Sequence, residues 1–337
     1  MPRQVLVKYG REGRRVTSFG QARGCVAIEG RGFEGLAVDH RGRPILLRGI
    51  VEPEVARLTP AGRWDRSFGG DGKVLVPRLT ENLGRIQPLS RGGILATTEN
   101  VEPEHGYQQV HMAELREDGR PLAAFGMHGV VNLDLAGDFH EAPVVAGNGS
   151  IYVIGEAGAT LSRISARGHL DTRFDRTARG TLRRYVRVLH SGHEWGETTT
   201  LVPRRGGGVD VFGFFDEHGA EAQVDARGHG VAGFGRGGVR ALAQQVWEAT
   251  DVGGDELFAA GEPLLGIARV FLLRDDGDLD RRFNGGEPIL LSDDAQWADP
   301  TLVGPGLVDV TYYRTIPCRE CRKPFVGRWV LPAGSGR

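Results

Sequence analysis

A glycine is followed six residues later by a phenylalanine at six places along this 337-residue chain: Gly13/Phe19, Gly62/Phe68, Gly119/Phe125, Gly168/Phe174, Gly228/Phe234 and Gly277/Phe283. The unit is roughly fifty residues long, with longer intervals before Phe125 and Phe234, and a period of that size marks a solenoid, a propeller or an array. Four residues before each glycine stands Tyr9, Leu58, Leu115, Ile164, Val224 or Leu273, large and apolar or aromatic in every copy. Alternation around them, as in Val55-Ala56-Arg57-Leu58, reads as a short strand, and the turn that follows carries Asp, Pro or Gly.

A second glycine heads an apolar strand in each unit, at Gly42, Gly92, Gly149, Gly207, Gly254 and Gly306. The 52 glycines fall between short apolar runs, as they do in a chain of many tight turns. With one further short strand per unit and no helical periodicity, the chain reads as all-β. The expected fold is a six-bladed β-propeller with about four antiparallel strands per blade. Seven blades with one degenerate is the alternative. Trp329 to Gly334 echoes Leu58 to Gly62 as a seventh, partial copy, so residues 1–337 are expected to form a single domain closed by pairing of the N- and C-terminal strands.

The segment Val55 to Val74 resembles a unit of the delta-60 repeat family, and Leu161 to Phe174 and Gly277 to Phe283 are similar to it. The resemblance runs along essentially the whole chain. The fifth copy, Ala222 to Phe234, departs from the pattern, and an aspartate three residues after the glycine occurs only as Asp65, Asp171 and Asp280. The resemblance implies a bacterial β-propeller repeat protein, often extracytoplasmic, with no defined activity. The first residues, Met1 to Val7, form neither a signal nor a transit peptide.

Charge and composition narrow the partners. Lys+Arg 42 against Asp+Glu 43 leaves a net charge of -1, spread along the chain, so no concentrated positive field for nucleic acid is expected. No apolar run approaches the ~18–20 residues of a membrane span. Three cysteines are too few for a disulfide scaffold, and a monomer is expected. The repeated phenylalanines read as core residues between blades, and the three aspartates as hydrogen-bonders at turns.

Function is sought where repetition breaks. The longest interval runs from Phe174 to Val209, with the extra residues expected around His190 to Glu197. His190, His193, Glu194 and Glu197 would either ligate a divalent metal or form a solvated loop. An aromatic beside an acid recurs in Phe33-Glu34, Phe139-His140-Glu141, Glu194-Trp195, Trp247-Glu248 and Trp297 with Asp299. Such a ring would either pack between blades or face the channel mouth, where it would suit a sugar or a cation. Glu34, His140, Glu194, Glu248 and Asp293 are the candidate ligands for one Ca²⁺. Cys318 and Cys321 read as half a zinc knuckle, a redox pair or a small disulfide.

No nucleophile elbow, phosphate-binding loop, HExxH or calcium loop is present. Two functions remain open. One is a non-catalytic propeller that presents loops and a channel mouth to a protein or glycan. The other is a Ca-assisted, lactonase-like hydrolase or sugar dehydrogenase with its site at the central channel.

Overall fold

The computed structural model describes residues 4–10, 14–20, 24–28, 33–49, 52–76, 79, 84–102, 107–136, 143–155, 160–189, 196–215, 218–253, 256–261, 268–291, 295–304, 307–315 and 322–331. The chain forms two compact units, residues 1–138 with 164–170, and residues 139–163 with 171–337.

The first unit opens on a ribbon of β1 (Gln4–Val7) and β2 (Cys25–Ile28). Two four-stranded antiparallel meanders follow. One holds β3 (Phe33–Val38), β4 (Pro44–Arg48), β5 (Glu54–Arg57) and β6 (Lys73–Leu75). The other holds β7 (Gly84–Pro88), β8 (Ile94–Glu102), β9 (Tyr107–Leu115) and β10 (Val130–Ala136).

The second unit begins with a three-stranded sheet of β11 (Val144–Val145), β12 (Ile151–Gly155) and β13 (Thr160–Ile164), followed by the helix α1 (Thr172–Leu189). Next come β14 (Gly196–Pro203), β15 (Val209–Phe215), β16 (His218–Val224) and β17 (Val239–Leu242), then β18 (Glu248–Gly253), β19 (Glu256–Gly261), β20 (Arg269–Arg274) and β21 (Ile289–Leu290). The last sheet has β22 (Ala295–Gly304), β23 (Leu307–Thr315) and β24 (Arg322–Val330). Within each unit the first strands of successive sheets lie side by side, β3 with β7, and β11 with β14, β14 with β18, β18 with β22.

The expected all-β, antiparallel chain is therefore what folds, and all six glycine-led segments become the second strand of a sheet. Against the expected four or so strands per unit, the sheets have four or three strands among the described residues, beside the two-stranded ribbon of β1 and β2. The expectation of no helical periodicity is overturned. Phe174, Ala178, Leu182, Tyr185 and Leu189 are buried along one face of α1, at the spacing of a helix and not a strand. Asp171 starts the helix, its Oδ1 accepting the Arg173 and Phe174 N–H groups at 3.2 and 3.0 Å. α1 takes up much of the long interval of that unit, and His190 to Trp195 lie outside the described residues.

The repeated glycine and phenylalanine are two halves of one contact. All six phenylalanines are buried, none more than 6% exposed. The first five of their turns abut the glycine of the next copy. Gly20 N–H donates to the Ala61 carbonyl at 2.8 Å, Gly69 N–H to Asp118 at 3.0 Å, and Gly126 N–H to Arg167 at 2.7 Å. A Cβ on Gly168, at φ +78°, would stand 2.4 Å from the Gly126 nitrogen, so no other residue fits there.

Candidate functional site

A second contact links neighbouring copies, and it leads to the site. The residue five places before the repeat glycine stands at or beside the end of a strand, and as Lys8, Arg57 or Arg163 it sends its side chain to the carbonyl two places before the next copy's glycine. Lys8 Nζ donates to Pro60 at 3.2 Å, Arg57 Nη1 to Glu117 at 2.8 Å, and Arg163 Nη1 to Ala226. Where that position is Glu114, Arg91 pairs with the acid and itself donates to the Ala166 carbonyl at 3.3 Å. Four joints therefore place a cation on the same carbonyl.

Two of these cations are matched by the aspartates of the repeat. Arg57 is 1% exposed; its Nε donates to Asp65 Oδ2 at 2.8 Å, and its guanidinium lies 4.6 Å from the Phe68 ring centroid. Arg163 repeats this with Asp171 at 2.5 Å and Phe174 at 4.5 Å. Burial works to raise the Asp65 carboxyl, but hydrogen bonds from Ser67 and Arg57 prevail and hold it below the usual range. The hydrogen bond from Arg163 is the main cause of the low value at Asp171. All three aspartates also accept a backbone N–H two residues on (Ser67, Arg173, Arg282), which is the turn role expected of them.

The fifth joint differs. Its position holds Gln223, whose Nε2 donates to the Asp275 carbonyl at 2.7 Å and to Glu221 Oε1 at 2.9 Å. Asp210 stands opposite Gln223 in the β15–β16 register, so Asp210, Gln223 and Glu221 share one sheet face. The one guanidinium bonded into this layer comes from the β14–β15 turn: Arg204 donates to Asp210 Oδ1 at 2.7 Å and Asp275 Oδ1 at 2.8 Å. Asp210, Glu221 and Gln223 are 4%, 2% and 2% exposed, and Gln223 Oε1 is buried with no hydrogen-bond partner among the described residues. Over them opens a pocket of about 380 Å³, with Arg205, Asp251 and Arg227 on its outer wall.

The electrostatics follow from this layout. Burial pushes the Asp210 carboxyl up to about 7, with the Arg204 charge working against it. Burial raises Glu221 well above the carboxylate range, and the neighbouring Asp210 charge adds to the shift. Burial works to lower Arg204, but the charges of Asp210 and Asp275 outweigh it and raise the group. The pocket floor therefore offers one acceptor unpaired among the described residues and two acids that burial raises. Such a floor receives a donor: an ammonium, a guanidinium or a hydroxyl group.

The sequence did not single out this cluster, although its signal was present. Asp210 interrupts the otherwise apolar strand Val209-Asp210-Val211, and Gln223 stands where other copies carry Lys8, Arg57 or Arg163.

Of the residues that were singled out, Trp247 and Glu248 are described. Trp247 stacks on Phe214, ring centroids 4.6 Å apart, and its Nε1 donates to Gln245 at 3.2 Å. Glu248 accepts from Thr200 Oγ1 at 3.3 Å. Phe33 and Glu34 begin β3, at a bulge between Phe33 and Gly35, and Trp297 occupies a bulge of β22 between Gln296 and Ala298. Phe139, His140, His193, Glu194, Trp195, Asp293, Cys318 and Cys321 lie outside the described residues. Among the described residues, no three His, Cys, Asp or Glu side chains are grouped as a metal site, and no helix is long and apolar enough to cross a membrane.

No protein-family model matches the chain. No curated protein matches it in sequence. Among solved structures, the PQQ-bound aldose sugar dehydrogenase of Streptomyces coelicolor is similar at 11% identity and a TM-score of 0.47, covering 98% of this chain and 99% of that one. A streptogramin B lyase is similar at 9% identity and a TM-score of 0.47, covering 91% of this chain and 86% of that one. The Dos1 propeller is similar at 10% identity and a TM-score of 0.42, covering 83% of this chain and 66% of that one. Likenesses this distant assign no activity.

Proposed function

We propose that the chain is a six-bladed β-propeller of the delta-60 repeat type, closed through its terminal strands. In this reading it is a non-catalytic binding module whose pocket at Gln223 takes a donor-bearing group of a protein or glycan partner. The observation that carries the reading is the exchange at the fifth joint. A neutral side chain with an unpaired acceptor replaces the cation, over two buried acids. Six successive meanders, with first strands side by side within each unit, support the propeller. Repeat scaffolds commonly bind through the places where a repeat departs from its pattern.

The test is calorimetric titration with panels of oligosaccharides and basic peptides, followed by the same titration with Asp210→Asn and Gln223→Leu. A ligand of this pocket binds more tightly at pH 8 than at pH 6 and releases protons, because it favours the ionised acids. It loses affinity at least tenfold in both variants. Binding that is indifferent to pH and to both substitutions contradicts the reading. For the alternative, a Ca-dependent hydrolase or sugar dehydrogenase, Glu248 is the one proposed ligand whose side chain is described, and it is engaged by Thr200.

A further inference from the structure

The helix that replaces a strand in the third sheet carries a second departure, on its outer side. Arg173, Arg176, Arg179, Arg183, Arg184 and Arg187 are all exposed. At about 100° per residue they fall within an arc of about 140° centred opposite the buried face, and they span about 21 Å of helix. The single acid of α1, Asp175, turns inward to accept from Ser162 Oγ at 3.2 Å and the Arg163 N–H at 3.1 Å. None of the six arginines is in an ion pair with any described residue. Their contacts are to backbone carbonyls: Arg176 to Thr172, Arg184 to Gly237 and Arg187 to Arg183. A chain of net charge -1 thus gathers six uncompensated guanidinium groups along one line, which an average over the whole sequence conceals.

We propose that this face of α1 binds the phosphate backbone of a nucleic-acid duplex without regard to sequence. Planar guanidinium groups match phosphate oxygens in pairs, and a straight row of them follows a strand of phosphates. Other polyanions fit this face less well. The apolar side of α1 is spent on the protein core, and no exposed position of the helix carries an apolar or aromatic side chain. It therefore has no apolar group to insert into a lipid surface and no aromatic ring as a platform for unpaired bases. Contacts made to phosphate alone carry no sequence information, so two unrelated duplexes bind alike.

The experiment is fluorescence anisotropy of a labelled 20-base-pair duplex titrated with the full chain from 50 to 200 mM NaCl. Phosphatidylserine vesicles and a single strand of the same length run alongside. The expected result is duplex binding that weakens by on the order of 100-fold over that salt range, with a slope near 0.9 per neutralised phosphate. The triple variant Arg176→Gln, Arg179→Gln, Arg183→Gln keeps good helix formers and loses at least tenfold in affinity and two to three units of slope. A control triple, Arg63→Gln, Arg66→Gln, Arg116→Gln, removes the same charge from elsewhere and stays within threefold. Overturning results are no duplex binding at 50 mM salt, an equal loss in the control, or preference for the single strand or the vesicles.

Discussion

Arg57 and Gln223 hold the same place in the repeat, yet one closes its joint and the other leaves it open. Around Arg57, one buried guanidinium meets Asp65, the Glu117 carbonyl and the Phe68 ring, and its charge is answered on the spot. Around Gln223, two acids are buried and only Asp210 is bonded to Arg204, an amide oxygen has no partner among the described residues, and a pocket of about 380 Å³ remains. The first arrangement serves cohesion between neighbouring sheets. The second leaves polar groups buried at a cost that the fold alone does not require. The same scaffold position therefore separates structure from function.

The largest expected effect breaks the first joint. Arg57→Met takes the nearest cation from the buried Asp65, leaving it Ser67 and the more distant Arg43, and costs about 3 kcal/mol, whereas Gln223→Met costs about 1 kcal/mol or less. Urea unfolding of the two variants measures the difference, and equal costs would erase the comparison.

The glycines across the two joints sharpen it at intermediate size. Gly119 and Gly277 both have φ between 79° and 87°, but an added Cβ meets Val74 Cγ2 at 2.7 Å and the Phe68 ring at 3.1 Å in the first. In the second the nearest atom is Leu242 Cδ2 at 3.0 Å, the movable end of a side chain. Gly119→Ala is expected to cost about 2–3 kcal/mol and Gly277→Ala about 1–2 kcal/mol by the same unfolding assay.

The smallest effect is one of pH. Because Asp210 and Glu221 are raised in the folded state, the native chain holds protons that the unfolded chain has released. Their contribution to stability therefore falls as pH rises from about 4 through the folded values, by at most about 1.4 kcal/mol per unit for each group. Glu221→Gln removes its share of that slope, and unfolding at pH 5, 6, 7 and 8 measures the change. The lowered Asp65 and Asp171 act in the other window: their contribution is present above about 4 and lost as pH falls below it.

How much of this was legible in the sequence follows from what repeats. Strand order and the glycine-phenylalanine contact recur in every unit, so period and spacing expose them. The helix was legible too, in the spacing of Phe174, Ala178, Leu182, Tyr185 and Leu189, but the strand reading of the other copies masked it. The pocket was harder to see, because Asp210, Glu221 and Gln223 are ordinary polar residues until register places all three on one buried face. Trp247 shows the same limit: an aromatic beside an acid is compatible with packing or with a ligand ring, and only the structure shows its indole stacked on Phe214.

The most direct test of the central claim, that the fifth joint is left open for a ligand, is the thermal midpoint of Gln223→Arg at pH 7.5. Supplying the cation that the other joints carry gives Glu221 a charged partner beside the Arg204–Asp210 pair, within a pocket that has room for it. The account predicts a midpoint raised by about 2 °C or more over the parent chain. A midpoint that is unchanged or lower would mean that Gln223 already satisfies this joint, and would contradict the claim.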